Sequence, residues 1–332
     1  MKTINIFRLA LGISFFTLVF ACSKNSGSSG SNSTITSQLQ TQADDQAMVS
    51  NESDAVTTDA NTAMYGSTAI AGNSISGSGD VTTNGFGTSG GSNNNLGGLI
   101  CDATVTVQDT LGVRSVTINY NGSNCWGNRT RTGVVVISIP TGVYWKDAGA
   151  QVTLSIQNLK ITRVRDNKSI VINGSKTLTN VSGGRLADLA TLGGITHTIT
   201  GNLVVTFDNG SQRSWNVSKQ RVYSYSNGVV ITTTGTHTDS LGNSDVAEWG
   251  TNRFGVEFES LISQPKVIRQ DCDFRLVSGQ NQVLRSDNIT TTVTYGLDAN
   301  GDVTTCPGSG TYYFKVVRVN AGGLSFTKIL PY

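Results

Sequence analysis

The stretch Val152-Thr-Leu-Ser-Ile-Gln-Asn-Leu159 decides the fold. Its aliphatic residues stand at 152, 154 and 156 with hydroxyl and amide residues between them, the period-two pattern of a strand with one apolar and one solvated face. Runs of the same kind fill the chain on both sides: Thr104–Val107, Ser115–Tyr120, Val134–Ile139, Val152–Val164, Ile170–Ile172, Ile195–Phe207, Arg213–Tyr225, Val229–His237, Val256–Ile262, Lys266–Arg269, Ile289–Tyr295, Thr311–Val319 and Leu324–Leu330. Turn signals punctuate them at Asn121-Gly122, Asp166-Asn167, Asn173-Gly174, Asp208-Asn-Gly210, Asn227-Gly228 and Asn300-Gly301. Asn-Gly accepts the positive φ of a tight hairpin, so the reading is an antiparallel meander. The spacing predicts an all-β domain over residues 100–332, arranged as a two-layer sandwich or as one elongated coiled sheet. Only Gly183–Gly194 departs from it, where Arg-Leu-Ala-Asp-Leu-Ala-Thr-Leu fits one or two helical turns. No fixed repeat length emerges, which argues against a solenoid or propeller.

The N-terminus has a different logic. Lys2 and Arg8 precede an apolar run from Leu9 to Phe20, too short for a stable membrane span, followed by the small Ala21. The ending Val19-Phe20-Ala21-Cys22 resembles the lipobox of bacterial lipoproteins, in which the cysteine takes a diacylglycerol and becomes the new N-terminus. That resemblance implies a signal peptide over 1–21, lipidation at Cys22 and a membrane as partner through the lipid, at the outer membrane on either face. Residues 22–43, rich in Ser, Gly, Asn, Thr and Gln, read as a flexible tether. Residues 44–66 place Met48, Val56, Ala60 and Ala63-Met64 at helical spacing and predict a short amphipathic helix that docks on its own β domain, with a partner as the alternative. Residues 67–99 read as a Gly/Ser/Asn-rich linker. The matches to G-x-G-x-x-G at Gly85–Gly90 and to G-x-S-x-G at Gly87–Gly91 fall inside it, without the strand or helix that would give either motif meaning.

Charge is sparse, 14% of residues, and the net charge of +2 conceals an asymmetry. Between Ser23 and Ile100 one lysine stands against six acids, whereas from Cys101 onward 21 basic residues outnumber 16 acidic ones. The basic surplus is spread over many strands, unlike the clustered face of a nucleic-acid binder. With Cys22 assigned to the anchor, Cys101, Cys125, Cys272 and Cys306 form an even set in an exported chain and are disulfide candidates. Three connectivities are open, of which 101–125 with 272–306 closes the shortest loops. No C-x-x-C pair suggests a metal, and no cofactor is expected.

Several residues carry possible chemistry. Arg129 and Arg131 lie two apart and project from one strand face, where they form a candidate anion grip or a solvated edge. His197 and His237 sit in Thr-His-Thr contexts on strands. Asp298-Ala-Asn300-Gly-Asp302 opens like a calcium loop but lacks the later ligands, which favours a hairpin turn. Tyr144, Trp145, Trp215, Tyr223, Tyr225 and Trp249 suit either sugar stacking or packing. Asp245 with Glu248, and Glu257 with Glu259, are the acid pairs that a glycan hydrolase would draw on. Thr110 and Ser240, in Asp-Thr-Leu and Asp-Ser-Leu, resemble O-glycosylation acceptors of the Bacteroidota.

Thr117-Ile-Asn-Tyr120, Cys125 with Gly127-Asn-Arg-Thr-Arg-Thr-Gly133, Lys176-Thr-Leu-Thr-Asn180, and Cys272 through Tyr295-Gly296 to Cys306 resemble a recurring block of Bacteroidota lipoproteins. The resemblance covers residues 45–318 and implies export, anchoring and an all-β body, with no catalytic residues to carry over. The expected function is that of a non-enzymatic, lipid-anchored binding or structural module of the envelope, with a glycan or another envelope protein as partner. A carbohydrate-binding or adhesive surface protein is the alternative, and a glycan hydrolase the second.

Overall fold

The computed structural model describes residues 29–72, 100–110, 112–304, 306, 310–319 and 322–332. The expected signal peptide, Cys22 and most of the 67–99 linker lie outside these described residues. The chain divides into two compact units, the first ending at Leu39 and the second running from Gln40 to Tyr332. Within the first, Ser29–Leu39 is helical. All that follows concerns the second.

Helix α1 spans Ser29–Tyr65, so the tether expected over 22–43 is already helical from Ser29. The physical reason is permissive: between Ser31 and Tyr65 there is neither Gly nor Pro, and Ser, Thr and Gln cost a helix only tenths of a kcal/mol each. Gly66 ends it, donating its N–H to the Thr62 carbonyl. A short α2, Thr68–Ala71, follows.

The sheet has fourteen strands. They are β1 (Ala103–Thr110), β2 (Val113–Ser123), β3 (Arg129–Pro140), β4 (Ala150–Arg163), β5 (Ser169–Asn180), β6 (Ile195–Phe207) and β7 (Gln212–Tyr225), then β8 (Val229–Gly235), β9 (Val246–Thr251), β10 (Glu257–Arg269), β11 (Arg275–Arg285), β12 (Thr290–Leu297), β13 (Tyr313–Val319) and β14 (Ser325–Pro331). Each pairs antiparallel with its chain neighbour along one continuous path, except that β8 pairs β10 while β9 bridges β7 and β10. Of the two expected arrangements, the single coiled sheet is the one formed. The helical turns expected near Gly183–Gly194 are present as a 3-10 turn at Leu186–Asp188 and α3, Leu189–Leu192.

The sheet is bent by register shifts. Between β4 and β5 the register jumps from Ile156 to Leu159, leaving Asn158 at φ 49° with its N–H donated to Asn173 Oδ1 at 2.7 Å. On the other side of β4, Gly133 lies at φ 125°, where a Cβ would come 2.5 Å from the Asn158 carbonyl. Only glycine fits that approach. Asn173-Gly174 therefore lies inside β5, opposite the bulge of β4, instead of forming a turn, and Asn121-Gly122 likewise lies within β2.

What the sheet packs around is the part of α1 from Gln40 onward. Met48, Val56, Ala60 and Met64 pack with inward residues of β2 to β7, while Ala43 and Ala47 pack with Leu276, Val293, Tyr295, Phe314 and Val316 of β11 to β13. The expected amphipathic helix, apolar on one side, is corrected by this arrangement. Asp45, Ser50, Ser53, Asp54, Thr57 and Asn61 are buried as well, because strands cover the polar faces too.

A cleft between helix and sheet

One stripe of the helix lines a cleft. Asn51, Ala55, Thr58 and Thr62, at i, i+4, i+7 and i+11, are half-buried and form the floor of a cleft of about 560 Å³. At 1.5 Å per residue the floor runs about 16 Å. One wall is apolar and comes from β8, β10 and β11, where Ile231, Ile268 and Leu276 stand side by side through the pairings of Ile268 with both neighbours. The opposite wall comes from the β2–β3 tip, with Trp126, Asn128 and Arg129.

Both lips are cross-linked. Cys101–Cys125 fixes the tip that carries Trp126, and Cys272–Cys306 fixes the turn that carries Asp273 and Phe274, the connectivity that closes the two shortest loops. Arg275 spans the mouth, its guanidinium carbon 5.8 Å from the Trp126 ring centroid and 5.0 Å from that of Tyr312, with Nη1 donating to the Gly310 carbonyl at 2.8 Å.

Each carboxylate of the helix finds a cation on the sheet. Asp44 accepts from Arg163 and Lys168, each at 2.7 Å, and Asp45 from Arg253 and Lys168. Glu52 pairs with Arg129. Asp59 accepts from Arg131 Nη1 at 2.7 Å and from the Tyr120 hydroxyl at 2.8 Å, while Asp102 holds the other edge of Arg131 through two bonds. Asp54 faces Lys219, Lys266 and Arg221 at 2.9, 3.0 and 3.2 Å. Burial alone would push these carboxyls up. For Asp44, Arg163 and Lys168 outweigh burial and hold its pKa at about 2. For Asp54, burial is outweighed by the surrounding lysines and Arg221, and its pKa lies well below the usual range. At Asp59 burial wins over Arg131 and Tyr120, and the pKa is raised.

Arg129 and Arg131 are thus brought together, and the anions they grip belong to the protein's own helix. Arg131 is buried, which replaces the picture of a solvated strand edge. His197 is buried between the rings of Trp145 and Tyr223, at 4.8 and 4.7 Å, and burial with Arg221 nearby brings its pKa down to about 3. It is a neutral core residue. His237 stacks on Trp249 at 4.2 Å on the outer side of the sheet, beside a groove of about 320 Å³ lined by Ser175, Thr177, Thr200 and Asn202. Trp145 and Trp215 are core residues, whereas Tyr144 and Tyr225 are exposed.

Asp245 and Glu248 separate, whereas Glu257 and Glu259 share a face of β10. Glu248 is buried against Lys219 and Gln46, while Asp245 is exposed in a loop at φ 61°. Glu257 is exposed, and Glu259 partners Asp239 instead, its pKa raised by burial and by that carboxyl. Direct contact is closer than the about 5 Å or more that separates glycosidase carboxyls. Asp298 Oδ1 accepts the N–H groups of Asn300 and Asp302, so the calcium-like loop is a hairpin turn stabilised by its own aspartate. Thr110 ends β1, and Ser240 is exposed in the β8–β9 loop beside Leu241, 86% exposed. The cleft itself escaped the sequence reading, since its floor is a helix face and its walls come from strands more than 100 residues apart. Among the described residues no helix is long and apolar enough to cross a membrane. Comparison with known protein families, curated proteins and solved structures finds no match to this chain.

Proposed function

We propose that the chain is an exported, lipid-anchored, non-enzymatic binding module of the cell envelope, and that its ligand enters the cleft along α1. The observation that carries the reading is the cleft: about 560 Å³, within the range of small-molecule sites, with a preformed floor and both lips held by disulfides. Preorganised walls reduce the ordering cost of binding. The anchor follows from the lipobox-like end of the apolar N-terminus and the resemblance to Bacteroidota lipoproteins.

The neutral apolar dye Nile red is a suitable probe of the mature full-length chain. Saturable one-site binding is expected, weakened at least tenfold in Ala55→Trp, where an indole would fill the floor, with the circular dichroism spectrum unchanged. Dye binding that ignores this substitution would reject the cleft as the site. In cells, Cys22→Ser should move the protein out of the membrane fraction and abolish palmitate labelling.

A second reading, a carbohydrate-binding surface, draws on the outer groove. An aromatic stack beside hydroxyls and amides, with no charged side chain in the lining, is the chemistry that recognises neutral sugars. Binding of a neutral hexasaccharide such as maltohexaose, lost in Trp249→Ala, would support it.

A further inference from the structure

The deep end of the cleft carries more positive charge than the protein neutralises. The inward side chains of Arg221, Thr233 and Lys266 lie in one row, since Thr233 pairs with Arg221 on β7 and with Lys266 on β10. Lys266 and Thr233, each 2% exposed, line the cleft at this end. Behind them sit Lys219 and Lys176. Arg221, Lys266 and Lys219 stand against two carboxylates, Asp54, which lines the cleft beside Lys266, and Glu248, while burial and the neighbouring cations bring the pKa of Lys176 down to about 7. Lys176 donates only to neutral oxygens, the Ser53 carbonyl and hydroxyl and the Thr57 hydroxyl, at 2.6 to 3.0 Å. Three buried cations thus share two carboxylates, an excess that favours an anion at this end of the cavity.

Two residues further along β10 the character changes. Ile268, flanked by Ile231 and Leu276, is followed by Phe274 towards the mouth. The arginines of the opposite wall are already paired, Arg129 with Glu52 of the helix and Arg131 with Asp59 of the helix and Asp102. The gradient from buried cations to aliphatic and aromatic wall therefore has one polar pole and one apolar flank.

We infer that the cleft takes an amphiphilic monoanion, an acyl chain ending in a carboxylate, with its head against Lys266 and Thr233 and its chain along Ile231, Ile268 and Leu276. This rests on the cleft reading above and adds to it a charge requirement. The Lys266 ammonium donates to Asp54 at 3.0 Å and to Ser50 at 3.4 Å, lies 5.5 Å from the Tyr295 ring centroid, and has a third N–H beyond these two bonds.

The test compares dodecanoate with dodecanol, both below micelle formation, by calorimetry on the mature full-length protein, with hydrogen exchange of residues 51–62 locating the site. Dodecanoate is expected to bind at least tenfold tighter than dodecanol and to protect 51–62. Lys266→Met should remove that preference while dodecanol still binds, which also shows that the variant is folded. Ile268→Gln should weaken both ligands. Equal affinity for acid and alcohol, with 51–62 protected, would overturn the anion assignment and leave the cleft standing. If dodecanoate is preferred but 51–62 stay unprotected, the head-group site lies elsewhere and both readings fail. Binding of neither ligand also overturns the assignment, and the Nile red titration then decides the cleft separately.

Discussion

Between Gln40 and Tyr65 the helix carries five carboxylates and no cation, whereas the strands around it carry Arg129, Arg131, Arg163, Lys176, Lys219, Arg221 and Lys266, and the β9–β10 turn Arg253. The two regions also differ in what holds them. The sheet closes its backbone hydrogen bonds strand by strand and has an aliphatic inner face over β2 to β7. The helix contributes small apolar residues and otherwise polar ones, a composition that would leave it marginal alone in water. Neither region is complete without the other. Withdrawing the helix would strand the buried cations, and withdrawing the sheet would leave the helix without its packing. The difference teaches that the polar interior fixes register: each carboxylate answers particular strands, and a shift of the helix by one residue would misalign all five.

The sharpest way to break this complementarity is Asp54→Ala. It leaves Lys219, Lys266 and Arg221 without their shared carboxylate, and removing one member of a buried ionic group costs about 3–5 kcal/mol. Urea unfolding should show a fall of that size in midpoint stability; a loss below about 1 kcal/mol would mean that helix and sheet are not electrostatically keyed. Next comes the covalent staple. Cys101 and Cys125 are 24 residues apart, and replacing both by Ser should cost about 3 kcal/mol in the chain-entropy account. The same variant should loosen the Trp126 lip, read as faster hydrogen exchange at 124–128. The smallest effect is a pH window. Asp44 has its pKa lowered from 3.8 to about 2, so the unfolded chain binds the extra proton between these values. The stability it contributes is complete above pH 3.8 and disappears as pH falls towards 2, a total of about 2 kcal/mol. Asp44→Asn should flatten that segment of the stability profile, and an unchanged profile would remove the Asp44–Arg163–Lys168 cluster from the account.

Much of this architecture could be read along the chain, and the failures share a cause. Asp166-Asn167, Asp208-Asn-Gly210, Asn227-Gly228 and Asn300-Gly301 all fall at reversals between consecutive strands. Asn173-Gly174 misleads because a strand facing a bulge needs the same backbone freedom as a turn. Strand β9 lacks alternation in Val-Ala-Glu-Trp-Gly-Thr, and β11 places Gly279 and Asn281 on its buried side, so neither resembles a half-apolar strand. Period-two reasoning assigns polar positions to solvent, yet Arg131, Lys176, Lys219, Arg221 and Lys266 face inwards. The charge imbalance between the two parts of the sequence was visible. What it could not disclose was that the acidic helix would lie against the inward cations of the strands, since that pairing joins residues more than 70 positions apart.

The nearly sequential strand path has a consequence for how the molecule is made. The helix leaves the ribosome before any strand, and each later strand has a partner already made as soon as it emerges. The structure can therefore be wound outward by repeated hairpin addition, each step closing a short loop, with the acidic helix as the spindle. The long-range bookkeeping falls on one segment alone, and a chain delivered N-terminus first presents that segment at the start.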